Sequence, residues 1–486
     1  MQHPTLRFDR RFLAIAALLF GGALLMVFGG FGPSARALAV ALVALSIAAI
    51  VLAPLPAGTR GLVCAVMLGL ATGIASVNLF AIGIFQGPIT REFGWTQTQY
   101  SIVTLIGTLV TVASSLYIGR LFDRQGVRRW AMVSTVLFAL LLASLYWLTD
   151  SLLHFYLVFA IVPILGAGTS SIAYSRVVAR WFDQRRGQAF GAALAGIGIG
   201  GALLSPLSQF LISEVGWRGA YVGLGLLNLV VTLPVVAWLL YDSPAERGLG
   251  LDGQPLASGG RLEAGKRDVP VLGYTAAQSR RQPRFWQMIA AFLLLSFAIG
   301  GVMLPLVPIL RARGVSPADA AAVQGALGLA LIVGRAFAGF LMDRIFVPYV
   351  AASILAFPIV GVALLALGAT GPAAIVAAVC LGLAAGAELD VIAVLITRYF
   401  GTRAYAENYG WQYAAWTLGS GTAPILTNRV YDLTGSHTAI LWVYMGLFAA
   451  AALLVLRLGP YPRLEPPAPA AGGAPAVAAG GVAAGG

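Results

Sequence analysis

Three charged residues interrupt long apolar stretches of the sequence: Arg335, Glu388 and Asp390. Arg335 comes eight residues before Asp343, at the end of one stretch, and Asp390 comes eight residues before Arg398, at the end of another. At a helical rise of about 1.5 Å per residue, each lies roughly 12 Å from the end of its helix. An arginine at that depth in hydrocarbon needs a partner or water, and the equal depth makes Asp390 a candidate counter-ion. A carboxylate held out of water can also carry a proton, so Asp390 and Glu388 are candidates for a proton-carrying role. The alternative is a purely structural ion pair.

An acidic motif occurs twice, as GRLFDR at 119–124 and as GFLMDR at 339–344. The offset is 339 − 119 = 220 residues, and a second match, RWF at 180–182 with RYF at 398–400, has a similar offset of 218. Two matches at nearly one offset indicate duplication of a six-span unit in parallel orientation. Each acidic side chain can bond the N–H groups or arginines of a helix end and release them when the halves move. The alternative is a basic loop that only sets topology. The residues predicted for these gating loops are Gly119, Asp123, Arg124, Gly126, Gly339, Asp343 and Arg344.

The elements that must position these residues are membrane-spanning helices. Of the 486 residues, 59% are hydrophobic and 10% are charged, and the mean hydropathy is +0.87. Apolar runs near the ~20 residues that a helix needs to cross a bilayer extend along nearly the whole chain. We therefore predict an all-α membrane protein. The predicted spans are about 11–30, 36–56, 62–86, 98–119, 129–149, 152–176, 187–212, 217–241, 284–309, 317–341, 346–369, 372–397, 404–427 and 436–457.

The predicted spans divide the chain into five parts. Residues 1–58 are expected to form an extra N-terminal transmembrane hairpin, 62–241 and 284–457 two six-helix bundles, and 242–283 a cytoplasmic linker. Residues 464–486 are rich in Pro, Ala and Gly and are expected to be a disordered tail. Most of the 31 lysines and arginines fall in segments that the positive-inside rule places in the cytoplasm if both termini lie there.

Other chemistries find little support in the sequence. The charge of +13 comes from short arginine clusters between apolar runs, which does not indicate nucleic-acid binding. The two cysteines lie far apart in separate runs, so they form neither a redox pair nor a metal motif. The sole lysine, Lys266, stands outside any GxxxxGK[ST] pattern, which excludes an ATP-driven pump within this chain. The three histidines are scattered, and we predict no catalytic residue, no cofactor and no metal site.

The two acidic motifs are the loop signature of the major facilitator superfamily, which the sequence resembles over about residues 62–457. The resemblance implies the major facilitator fold, with two six-helix bundles and twelve core transmembrane helices; the extra hairpin departs from that pattern. Further motifs are similar to those of the monocarboxylate transporter and oxalate:formate antiporter branch. They are Phe93-Gly94-Trp95, the segment Trp181 to Gly191, Gly216-Trp217-Arg218, Phe285-Trp286 and the segment Tyr431 to Ser436.

The resemblance to this branch implies roles for individual residues. An arginine four residues before the loop glycine, here Arg335 before Gly339, is a substrate-carboxylate ligand in that branch, and its planar fork suits a carboxylate. The branch commonly has an acidic residue one turn earlier, where this chain has Leu331, and the eleventh span lacks the lysine of the oxalate transporter, which disfavours a dicarboxylate. Ordinary contacts between helices are the alternative for the remaining candidate substrate-binding residues. They are Asn78, Tyr174, Gln412 and Trp416.

We therefore expect a secondary active transporter for a small organic anion, a monocarboxylate, that works by proton symport or anion exchange with alternating access. The expected location is a bacterial inner membrane, with many spans, both termini in the cytoplasm and a monomeric state. The expected partners are the anion, protons or a counter-anion, and the lipid bilayer. Two alternatives stay open: an exporter of drugs or neutral metabolites, and a non-transporting sensor on the same fold.

Overall fold

The structure is a computed structural model that describes residues 52–53, 55–255 and 272–464. Almost all of the predicted N-terminal hairpin and of the predicted tail lies outside these residues, as does the middle of the linker. Within the described ranges the chain is almost entirely helical, and the only β-structure is two isolated bridges. The all-α prediction is therefore confirmed there.

Six helical segments precede the linker. Three of them are irregular: α1 contains a break at Gly73 and a π turn at Val77–Ala81, α4 is divided by a 3-10 turn at Ala167–Thr169, and α6 contains a π turn at Asn228–Thr232. A single helical stretch, Arg186–Leu227, bends at Gly216 (φ +71°), which separates α5 from α6. The segments are α1 (Ala57–Phe93), α2 (Gln97–Gln125), α3 (Arg128–Ser144), α4 (Leu152–Leu165 and Ser171–Trp181), α5 (186–215) and α6 (217–239).

Six more segments follow the linker, after a short helix at Ala276–Arg281. They are α7 (Pro283–Met303, continued by Leu306–Arg311), α8 (Pro317–Met342), α9 (Val347–Ala366), α10 (Gly371–Tyr399), α11 (Tyr405–Thr434) and α12 (Thr438–Leu456).

Nine helices within the described ranges are long and apolar enough to cross a membrane. Two shorter apolar helices, Leu152–Leu165 and Ala326–Met342, belong to α4 and α8. α11 is as long as the others but rich in Tyr, Asn, Gln, Thr and Ser, and many of these polar side chains are buried inside the bundle. Its low hydropathy therefore reflects an internal position rather than an aqueous one.

The predicted spans end where charges begin, but several helices continue further. α1 runs to Phe93 and α2 to Gln125, beyond the predicted ends at 86 and 119. A helix can extend past the hydrocarbon because its backbone bonds are internal, whereas hydropathy follows only the apolar part. Asp123 consequently lies in the last helical turn of α2 rather than in a loop, and Gly126 ends that helix at φ +80°.

The two halves meet along two pairs of helices, α2 with α11 and α5 with α8. Glycines allow the close approach at both contacts. A Cβ atom on Gly119 would strike the carbonyl of Ala406, and one on Gly339 would lie 2.6 Å from the carbonyl oxygen of Gly187. Both contacts lie at the end of the bundle that carries the two acidic motifs, called the motif end below.

Candidate functional site

Arg335 lies inside the bundle with 4% of its surface exposed. Its Nε donates a hydrogen bond to the carbonyl of Gly386 on α10 (2.8 Å) and lies 3.6 Å from Oδ2 of Asp390. Its Nη1 donates to the carbonyl of Leu194 on α5, in the other half. Gly386 makes this reach possible, because a Cβ there would strike the carbonyl of Leu331 on α8. The guanidinium thus links three helices and both halves.

Asp390 is fully buried, and neither of its carboxyl oxygens has a hydrogen-bond partner. Among the described residues its one ion pair is with Arg335. The structure therefore brings together the two residues that equal depth had paired. Glu388 is also buried, lies close to Arg335 and to Trp416, and has an unpartnered Oε2 atom. Buried carboxyls with so few partners are costly, and such groups in native proteins call for water or a ligand.

An aromatic ladder on α11 lies beside the charged pair. Tyr405, Tyr409, Tyr413 and Trp416 follow one another at ring-centroid distances of 5.8, 6.1 and 5.5 Å. The hydroxyls of Tyr405 and Tyr409 are buried without a partner, and Tyr409 lies within electrostatic range of both Arg335 and Asp390. Our sequence reasoning missed these two tyrosines. Their spacing of four residues on a span was the available signal, since such residues share one helix face.

The other predicted substrate-binding residues are more dispersed. Gln412 donates from Nε2 to the carbonyl of Phe285 (3.3 Å), which joins α11 to α7, and its Oε1 is unpartnered. The indole N–H of Trp416 is buried without a partner. Asn78 lies in the π turn of α1 with a buried, unpartnered Oδ1, and Tyr174 packs against Gly69 with an unpartnered hydroxyl. None of these four is a hydrogen-bond partner of Arg335.

α1 and α4 are both interrupted at neighbouring points. The backbone N–H of Ile74 donates to Oγ1 of Thr169 (3.2 Å), so the break in α1 is held against the break in α4. The hydroxyls of Ser170 and Ser171, where α4 resumes, are buried without partners. The N-half therefore contributes its own unsatisfied polar groups at the level of the helix breaks.

Asp123 joins the halves at the motif end. Its carboxylate accepts hydrogen bonds from the backbone N–H groups of Ala406 (3.1 Å) and Glu407 (2.8 Å), in the first turn of α11. Arg176 on α4 donates from Nε to the same carboxylate at 2.9 Å. A negative charge at a helix N-terminus is favourable because the N–H groups there are free. This contact is called the Asp123 latch below.

Asp343 forms the equivalent contact in the opposite direction. It accepts hydrogen bonds from the backbone N–H groups of Gly187 (2.6 Å) and Gln188 (3.0 Å), in the first turn of α5. The donor pairs of the two latches are 406 − 187 = 219 residues apart, which matches the offset of the sequence repeat. Burial raises the pKa of Asp343 to about 6, although these two N–H donors favour its ionised form.

Arg120 of the first motif pairs with Glu407 of α11 across the halves (2.9 Å), whereas Arg124 and Arg344 do not take part in the latches. Arg124 is exposed, and Arg344 folds back on the ring and the carbonyl of Phe340. Gly126 adjoins the carboxylate of Asp242, which accepts hydrogen bonds from the first N–H groups after that glycine. The structure thus separates the motif residues into the latching acids, the close-packed glycines and two arginines that stay within their own half.

Two six-helix halves that meet around buried charges and join at one end define a solute transporter of the membrane. The chain belongs to the Major Facilitator Superfamily, whose family model matches residues 66–424. The predictions of that superfamily, of its fold and of a protein that is not an enzyme are thereby confirmed. The chain is a multi-pass membrane protein.

Curated relatives agree with the predicted branch. The chain is 26% identical to human monocarboxylate transporter 12 over 398 residues, covering 77% of this chain and 75% of that protein. It is 27% identical to mouse monocarboxylate transporter 11 over 425 residues, with 85% and 89% covered. It is 25% identical to the uncharacterized transporter YhjX of Escherichia coli over 357 residues, with 72% and 83% covered.

Solved structures share the fold. The fucose:proton symporter FucP of Escherichia coli has a TM-score of 0.62 at 13% identity, covering 82% of this chain and 98% of that one. The human organic anion transporter MFSD10 has a TM-score of 0.59 at 19% identity, covering 82% and 100%.

Proposed function

We propose that the protein is a secondary active transporter of a small organic anion, a monocarboxylate, that binds at Arg335 and moves by alternating access. The observation that carries the proposal is the buried contact of Arg335 with an otherwise unpartnered Asp390. A buried cation can compensate the charge of an anion in an apolar path. A carrier of neutral drugs has little use for it.

The surroundings of Arg335 suit a carboxylate. Two of its donors are committed to backbone carbonyls, and the rest of the guanidinium fork remains for a ligand. The hydroxyls of Tyr405 and Tyr409 are further donors without acceptors. A bound anion would accept hydrogen bonds from these donors, which are costly to leave unpaired.

Binding at this position couples naturally to movement of the halves. The bond from Arg335 to Leu194 crosses between them, so it must break when the halves separate at the motif end. A substrate carboxylate offers a charged acceptor in place of that carbonyl, and charged hydrogen bonds are about twice as strong as neutral ones. Substrate would thereby lower the cost of leaving the latched state.

Asp390 and Glu388 are the groups that we assign to ion coupling. In proton symport, a proton on Asp390 would remove the charge that competes with the substrate for Arg335. In anion exchange, the pair would stay charged and a second anion would return through the same site. The monocarboxylate transporters among the relatives and the organic anion transporter among the fold neighbours support the anion class.

We place the protein in a bacterial inner membrane as a monomer, with the motif end, the linker 242–283 and both termini in the cytoplasm. The arginine-rich segments at the motif end support this orientation. We further propose that 62–241 and 284–457 move as the two rocking units, with 1–58 as a peripheral hairpin and 464–486 as a tail.

Reconstituted vesicles would test the proposal. We expect uptake of at least one labelled monocarboxylate from a panel, and strong loss of that uptake in Arg335→Lys, because lysine keeps the charge but lacks the planar fork. Arg311→Lys, at an exposed position on α7, is the matched control and should transport normally. Uptake of a neutral compound that persists in Arg335→Lys, with no carboxylate transported, would favour the exporter.

A further inference from the structure

The start of α7 and the end of α12 meet at the motif end. The Nε2 atom of Gln287 donates a hydrogen bond to the carbonyl of Leu454 (2.8 Å), which joins the two helices. The Nη1 atom of Arg284 donates to the carbonyl of Pro460 (3.3 Å), in the segment that follows α12. Arg457, directly after the last residue of α12, is exposed and lies in sequence between the two accepting carbonyls. The two arginines therefore flank one groove, called the α7–α12 groove below.

No carboxylate compensates the positive charge of this groove. Arg280, which precedes it in the chain, is paired with Glu407 at 2.7 Å, and an arginine of α2 shares that carboxylate at 2.9 Å. In the part of the chain that the structure describes, Arg284 and Arg457 form no ion pair. The contacts of Arg284 are a backbone carbonyl and the ring of Tyr399, whose centroid lies 5.8 Å from the guanidinium carbon. Two cationic side chains are thus left to meet an external anion.

Exposed apolar surface begins directly beside these arginines. Leu453 precedes Arg457 by four residues, so the two share one face of α12, and Leu453 is 55% exposed. Trp286, in the first turn of α7, is 49% exposed, and tryptophan is enriched at the level of the lipid headgroups. A phospholipid matches this arrangement, with its phosphate at the arginines and an acyl chain along the apolar helix face. A soluble anion would use only the arginines.

We propose that the α7–α12 groove binds the headgroup of an anionic phospholipid from the leaflet at the motif end. Guanidinium groups bind phosphate oxygens through paired N–H bonds, and basic pockets between membrane helices suit anionic headgroups. Both arginines belong to the second half, so the groove keeps its shape when the two halves move apart. The lipid would therefore stabilise the folded protein without favouring either access state, whichever substrate binds at Arg335.

Titration of the purified protein with phosphatidylglycerol in neutral detergent, read by native mass spectrometry, tests the site directly. We expect saturable binding that is stronger than the binding of phosphatidylcholine. Arg284→Gln should weaken it about tenfold or more, since a charged hydrogen bond is lost. Arg284→Lys should also weaken it, because lysine keeps the charge but lacks the paired donors. Arg457→Gln changes an exposed side chain without an ion pair, so this variant should fold and should weaken binding as well.

Three controls separate this site from general surface charge, from a soluble ligand and from the latches. Arg129→Gln removes an exposed arginine elsewhere at the motif end and should bind the lipid as the unmodified protein does. Excess glycerol phosphate, which has no acyl chain, should not displace the lipid. Asp343→Asn, which weakens a latch, should leave the lipid affinity unchanged. The proposal would be overturned if phosphatidylglycerol bound no better than phosphatidylcholine, if glycerol phosphate displaced it, or if Arg284→Gln weakened binding no more than Arg129→Gln.

Discussion

Replacing Arg335 by glutamine should destabilise the protein more than replacing Asp390 by asparagine. The two residues form one ion pair, but their other partners differ. Arg335 also donates to the carbonyls of Gly386 and Leu194, whereas Asp390 is fully buried and has no hydrogen bond on either oxygen. Loss of the arginine therefore leaves an isolated carboxyl, while loss of the carboxyl leaves a cation with two acceptors.

The magnitudes follow from the geometry. At 3.6 Å and an effective dielectric constant of about 20, the attraction between the two charges is about 4–5 kcal/mol. Removing one partner of a buried pair costs about 3–5 kcal/mol, which we assign to Arg335→Gln. Asp390→Asn should cost about 1–3 kcal/mol, the scale of one unmade buried hydrogen bond, because the carbonyls still hold the guanidinium.

Thermal unfolding of the purified variants measures this order, with Arg311→Gln as an exposed control. The double variant Arg335→Gln with Asp390→Asn should recover stability but not uptake, because neutral side chains remove the buried charges and the carboxylate ligand together. Equal destabilisation by the two single variants would refute the reasoning about partners. Normal uptake by the double variant would remove both residues from the proposed site.

Three further predictions concern the motif end. Asp123→Asn should slow transport with substrate affinity nearly unchanged, because the uncharged amide replaces the carboxylate that accepts from the N–H donors of α11. An unchanged transport rate would mean that the motif only sets the topology. Gly119→Ala should favour the unlatched state in spin-label distance measurements, since the added methyl group meets a backbone carbonyl, whereas Gly107→Ala meets nothing within 4 Å and should have no effect. Lowering the pH from 7 to 5 should favour the latched state. Burial there raises the pKa of Asp343 from 3.8 to about 6, so at pH 5 the carboxyl is protonated in the latched state and ionised when it is exposed to water. Proton uptake therefore stabilises the latched state at low pH, and this stabilisation is lost as the pH rises through 6. Asp343→Asn should weaken that dependence.

The helices and their duplication could be predicted from the sequence because both depend on local patterns. An apolar run of about 20 residues has few alternatives to a transmembrane helix. A duplication can be recognised from only two pairs of motifs that are separated by nearly the same number of residues. Helix ends were less predictable, since hydropathy stops at the first charge and the helix does not. The breaks in α1 and α4 were not predicted, because Gly73 and Gly166 look like many other glycines in these spans.

Some features of the candidate site could likewise be predicted from the sequence, and others could not. Counting residues from the helix ends was enough to pair Arg335 with Asp390, since both helices run in one direction. The bond from Arg335 to Leu194 could not be predicted, because it depends on how the two halves pack. The backbone N–H groups that donate to Asp123, those of Ala406 and Glu407, lie 283 and 284 residues further along the chain, and no local pattern indicates them. The hydroxyls of Tyr405 and Tyr409 became candidates only when the structure left them without acceptors.

The latches must be strong enough to hold one state and weak enough for a ligand to release it. Four N–H bonds reach the two latch carboxylates. Water replaces such bonds when the halves part, and because the acceptors are carboxylates each bond is worth about 1.5–3 kcal/mol net, roughly 6–12 kcal/mol in all. Reversing a two-state population from 1:99 to 99:1 takes about 5.5 kcal/mol. At the low end of that range one bound carboxylate can offset the latches, provided that its binding is stronger after Arg335 leaves Leu194. A substrate that bound Arg335 equally well in both states would occupy the site without being carried.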